Sequence, residues 1–155
     1  MFVGRDVPKV DALEKAAGKA CFSYDLKTEE MLFACAFRST RPHASIRNID
    51  TRDALALPGI VGILSAKDIP GQNLFGAIRK DQPYLADGIV RFRGEPILVV
   101  IGKNEEIARK ALTLIKVDYA EITPIMSTAE ADASPLFLHK DGNLLCYRSL
   151  RKGDI

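Results

Sequence analysis

The feature that most constrains this chain is a run of aliphatic residues followed almost at once by an amphipathic helix. Ile97-Leu98-Val99-Val100-Ile101 is the most strongly β-forming stretch in the sequence. Asn104 then supplies a good helix N-cap, and Glu105 and Glu106 sit where the helix dipole favours negative charge. Ile107, Ala111, Leu114 and Ile115 fall on one stripe, which predicts a helix from Glu105 to Val117. Glu105 with Arg109 and Glu106 with Lys110 are i,i+4 pairs on the opposite side. A helix with one apolar stripe must cover a sheet.

The rest of the chain supplies that sheet. Met31 to Phe37 is apolar throughout and reads as a buried strand ending at Arg38-Ser39. Arg41-Pro42-His43 makes a turn. Ala44 to Asp50 reads as a second strand in which a bulge reconciles Ile46 with Ile49. Asp50 or Thr51 can cap a short helix through Leu55, and Pro58-Gly59 breaks the chain. Ile60 to Leu64 is a third strand. Ser65-Ala66-Lys67-Asp68 suggests one helical turn. Residues 71–88 show no period, and loops of this length in a compact domain are often functional. Ile89 to Phe92 resumes strand character, and Gly94 with Pro96 marks a kink or a close approach of two backbones. Val117-Asp118-Tyr119 leads into a short strand that Pro124 ends. The first 20 residues read as an extended lead-in, and everything from Ser127 onward is weakly patterned. Strands outnumber helices, so the fold class is α+β.

Composition narrows the function by exclusion. At 155 residues the chain suits one domain with a core of its own. The net charge of +2, from 22 basic and 20 acidic residues, argues against nucleic acid or an anionic membrane as partner. No apolar run approaches a membrane span, and the charged start lacks a signal-peptide core, so the expected location is the cytoplasm. Cys21, Cys35 and Cys146 form no CxxC, His43 and His139 stand apart, and no metal site is expected. Reduced, unpaired cysteines are the expectation in that compartment. There is no GxGxxG, no P-loop and no GxSxG. Asp50 with Asp53, and Glu29 with Glu30, read as capping or solvated carboxylates. Arg79-Lys80, Arg91 and Arg93 read as a solvated face or a protein contact in preference to a phosphate site. No residue is therefore assigned a catalytic, cofactor-binding or metal-binding role.

The order of short segments is more specific than any one of them. Arg5-Asp6-Val7-Pro8-Lys9-Val10-Asp11-Ala12, Tyr24-Asp25-Leu26, Arg38-Ser39, Leu57-Pro58-Gly59-Ile60-Val61, Asp68-Ile69-Pro70-Gly71, Pro83-Tyr84-Leu85-Ala86, Val90-Arg91-Phe92-Arg93-Gly94-Glu95-Pro96-Ile97 and Asp118-Tyr119-Ala120-Glu121 follow one another at characteristic spacing. From about Arg5 to Met126 this resembles the N-terminal domain of the molybdopterin-binding subunit in the xanthine dehydrogenase and aldehyde oxidase family. Thr40-Arg41-Pro42-His43 and Ala16-Ala17 depart from the family pattern, which weakens any choice of substrate.

The resemblance implies an α/β hammerhead: a mixed β-sheet covered by one long amphipathic helix plus short helices. It implies a non-catalytic part of a molybdenum hydroxylase acting on purines, other N-heterocycles or aldehydes. Molybdenum-molybdopterin would lie on the remaining domains of that subunit, with [2Fe–2S] clusters and FAD on other domains or subunits. Two alternatives stay open: a carbon monoxide or hydroxybenzoyl-CoA branch of the family, and a stand-alone protein-interaction domain. Residues 1–138 are expected to form the hammerhead domain and 139–155 to connect to a further, molybdenum-binding domain, so that the chain reads as a fragment. Arg38, Ser39, Phe75, Tyr84, Arg93, Gly94 and Glu95 are the candidate contacts with the rest of such a protein.

Overall fold

A computed structural model describes residues 3–153. They fall into two compact units, Met1–Met31 and Leu32–Ile155. The first carries a short helix α1 (Ala12–Ala16) and a 3-10 turn (Ser23–Asp25). The segment expected to be extended is thus partly helical. Lys15 N–H donates to Asp11 O and Ala17 N–H to Leu13 O, which is enough to close one turn.

The second unit contains β1 (Phe33–Arg38), β2 (Ala44–Asp50), α2 (Arg52–Leu55), β3 (Ile60–Leu64), β4 (Ile89–Val90), β5 (Pro96–Gly102), α3 (Glu105–Leu112), β6 (Lys116–Glu121) and α4 (Thr128–Ala133). The class is α+β, as the patterning predicts. In place of one mixed sheet, the strands form two three-stranded sheets, ordered β1-β5-β3 and β4-β2-β6, with antiparallel pairing throughout. The aliphatic run takes the central place in the first sheet, where both of its edges are paired. The expected irregularity in β2 is a register shift between Ile46 and Asn48 against β6.

Helix α3 packs on β1, β5 and β3. Ala108 and Ala111 are fully buried beneath it, alongside Val100, Ile97, Val90, Ala44 and Ala54. Asn104 caps it, Oδ1 accepting from Ile107 N–H at 2.8 Å. The helix stops at Leu112, short of the predicted Val117. Its apolar stripe nevertheless continues: Leu114 N–H bonds Ala111 O and Ile115 N–H bonds Leu112 O, the tight i→i−3 turns common at helix ends. Ile115 stays buried, and β6 begins at the next residue.

Cys35 is half-buried in β1, less enclosed than the apolar run suggests, while Cys21 and Cys146 are exposed; all three are free. The 3-10 turn Ala66–Asp68 is closed by Ser65, whose N–H and hydroxyl both reach Asp68 Oδ2.

Candidate functional site

Four of the seven candidate contacts come together at one junction between two loops. Ser39 N–H donates to Glu95 O, and Gly94 N–H donates back to Ser39 O, both at 2.9 Å. Arg38 Nη1 donates to Gly94 O at 2.9 Å. Gly94 adopts φ +95°, the left-handed region that suits glycine, so its backbone can turn both polar groups toward Ser39 and Arg38. The Ser39 hydroxyl closes a small ring with Arg41, accepting from its N–H and donating to its carbonyl. The expected close approach near Gly94 and Pro96 is therefore a latch between the end of β1 and the turn before β5.

Burial separates these residues by role. Ser39 is 3% exposed and Glu95 only 1%, so both belong to the interior and hold the latch, while Arg38 and Arg93 are exposed. Glu95 Oε2 accepts from Arg91 N–H, and the Arg91 Nε donates to Leu138 O at 3.0 Å. Beside the latch, burial raises the Tyr119 phenol above its ordinary value, an effect that the charge of Arg41 opposes.

Phe75 and Tyr84 form a second group on the long loop. Their rings stack with centroids 4.7 Å apart and remain 36% and 53% exposed. The loop has no regular element, yet it is tied down at several points. Phe75 and Gln82 exchange backbone hydrogen bonds, and Asn73 bonds both polar groups of Leu85 through its amide. Ala86 N–H reaches Pro96 O, and Ile46 N–H reaches Gly88 O. Leu85 and Ala86 are buried as anchors, while Leu74, Phe75, Ile78 and Tyr84 face solvent. Asn73 escapes sequence reasoning because one asparagine in an aperiodic loop carries no spacing signal; only its two-sided bond to Leu85 marks it.

No group of three or more His, Cys, Asp or Glu side chains that could hold a metal occurs among the described residues. Among the described residues, no helix is long and apolar enough to cross a membrane.

The site is thus an α+β domain whose loops are latched from within and carry a stacked aromatic pair on their outer side. Residues 17–123 match the family described as aldehyde oxidase and xanthine dehydrogenase, a/b hammerhead domain, and the chain belongs to that family. It is 39% identical to the nicotinate dehydrogenase large molybdopterin subunit of Eubacterium barkeri, over 99% of this chain and 36% of that protein. It is 33% identical to the xanthine dehydrogenase/oxidase of Gallus gallus, over 99% of this chain and 11% of that protein. Among solved structures, quinoline 2-oxidoreductase from Pseudomonas putida 86 superimposes with a TM-score of 0.79 at 29% identity, over 89% of this chain and 19% of that chain. The chain thus spans about a third or less of the length of these relatives.

Proposed function

We propose that this chain serves as the hammerhead domain of a larger molybdenum hydroxylase, a cytoplasmic oxidoreductase of the xanthine dehydrogenase type. That enzyme would hydroxylate purines, other N-heterocycles or aldehydes. Its molybdenum-molybdopterin would be carried by the remaining domains of the same subunit, and its [2Fe–2S] clusters and FAD by other domains or subunits. The hammerhead domain contributes shape and contact to that assembly. Residues 1–138 form the domain in this reading and 139–155 connect it onward, with the first few residues of the connection still hydrogen-bonded to the body through Asn143.

The observation that carries the reading is the outward face of the anchored loop. Leu74, Phe75, Ile78 and Tyr84 are large, apolar and exposed on a segment held by four sets of hydrogen bonds. Apolar groups presented on an ordered loop mark a contact surface. At the separate latch, Arg38 and Arg93 are exposed and offer further contacts, while Ser39 and Glu95 are buried and hold the latch from within. Replacing both Phe75 and Tyr84 by serine in the whole enzyme is expected to impair assembly or cofactor retention, read by size-exclusion chromatography and molybdenum content. Wild-type assembly and metal content in that variant would overturn the assignment.

A further inference from the structure

A cavity of about 390 Å³ opens between the turn after β4 and the segment that follows α4. Pro83, Phe92, Leu138, Leu144 and Leu145 give it an apolar wall. Arg91 and Glu95 meet in the same wall, and their arrangement is unusual. Glu95 is 1% exposed, and its Oε1 has no hydrogen-bond partner. Arg91 Nη1 is likewise buried without a partner, 3.9 Å from that oxygen. At that separation the two charges still pair, but it is too long for a hydrogen bond. One buried acceptor and one buried donor are thus left unsatisfied side by side, which is costly to a fold and rewards any group that supplies both.

We propose that this cavity binds a neutral carboxamide carried on an apolar body. An amide offers an N–H to Glu95 and a carbonyl to Arg91 at neighbouring positions. The remainder of such a ligand meets proline, phenylalanine and leucine. Charge also favours a neutral ligand: Arg79 and Arg91 in the wall are balanced by Asp81 and Glu95, and His139 lies 3.4 Å from Asp81. The Asn143 amide cannot serve instead, because it is engaged by Leu138, Ala131 and Leu136. Both orphan atoms are sealed from solvent, so the ligand reaches them when the Arg91 head group turns. That motion gives up the Arg91 Nε bond to Leu138 O and the long ion pair with Glu95, and breaks no hydrogen bond at Nη1.

Benzamide is a suitable probe, with benzoate and toluene as controls, titrated into the ¹⁵N-labelled 155-residue chain. Benzamide is expected to give saturable shifts centred on residues 91–95 and 138–145, and to bind about tenfold or more tighter than either control. Glu95→Gln keeps the side chain's shape but replaces the anionic acceptor with a donor beside Arg91. It should weaken benzamide by a similar factor and make benzoate the better ligand. Leu144→Glu, at a 60% exposed position lining the cavity, provides a second route should Glu95→Gln fail to fold. It adds a carboxylate without touching the core and should weaken benzoate more than benzamide. Equal binding of benzamide and toluene, shifts centred elsewhere, or no saturation by benzamide would overturn the proposal.

Discussion

Two glycines show how a single position can be fixed for different reasons. Gly59 and Gly94 have φ of +91° and +95°, so a side chain at either costs roughly 1–2 kcal/mol in backbone strain. At Gly94 an added Cβ meets open space, whereas at Gly59 it would lie 2.8 Å from Ile107 Cδ1 on α3. Gly94→Ala should therefore lose only the conformational cost, and Gly59→Ala that cost plus a smaller one for moving Cδ1, the free end of the half-buried Ile107 side chain; urea unfolding of both variants measures the difference. Asp50 provides a charge counterpart. Hydrogen bonds from the Arg52 guanidinium and backbone N–H hold its carboxyl well below the usual carboxylate range. A depressed carboxyl pKa stabilises the fold above the unfolded-state value and is lost as pH falls through the folded one. Arg52→Ala should return the Asp50 titration toward an ordinary aspartate in a carbon-detected NMR titration. Because the pair lies at the surface, the accompanying loss of stability should be small and should shrink in high salt.

At the scale of elements, the sequence is legible where burial writes a pattern and silent where it does not. The β5 run and the α3 stripe both mark the core, and the structure centres on them. Pattern overstates the length of α3 because Leu114 and Ile115 keep to the buried stripe after the helical hydrogen bonds have ended. Helix α1 leaves no trace in the pattern because none of its residues is buried, so no stripe exists to be read. Helix α4 does leave a signal: Ser127 and Glu130 stand three apart, Ser127 Oγ accepting from Glu130 N–H and Glu130 from Met126 N–H. Two sheets read as one because local pattern fixes strands, whereas which strands pair depends on contacts distant in sequence, such as Phe33 with Gly102. The latch is half legible: Gly94 and Pro96 announce a close approach, but nothing local names Ser39 as its partner. Asn104→Ala should cost about 1 kcal/mol, typical of a lost N-cap. Amide exchange should speed up first at Ile107, whose N–H the cap holds at 2.8 Å, with β5 hardly affected.

At the scale of the whole molecule, the question is where the folded body of the Leu32–Ile155 unit gives way to chain that needs something else to cover it. Among the described residues, the hydrophobic core is drawn from residues 35 to 119, with nothing contributed from beyond α4. Leu144, Leu145, Tyr147 and Leu150 are 60%, 56%, 82% and 96% exposed, although burying each would be worth roughly 1.5–3 kcal/mol. Residues 138–143 behave differently. Leu138 O accepts from the Arg91 guanidinium, His139 lies beside Asp81, and the Asn143 amide bonds three backbone groups within residues 131–138. Two deletions separate these contributions. Removing residues 146–155 should leave the melting temperature unchanged, because no core side chain and none of those hydrogen bonds is lost. Removing residues 139–155 should lower it measurably, since each lost Asn143 bond is worth about 1 kcal/mol. Exposed apolar groups gathered on one segment favour weak self-association, so the shorter deletion should also reduce any concentration-dependent dimer seen by sedimentation. If instead the shorter deletion unfolds the protein, Tyr147 and Leu150 belong to the core, and the connection to a neighbouring domain would have to be sought elsewhere in the chain.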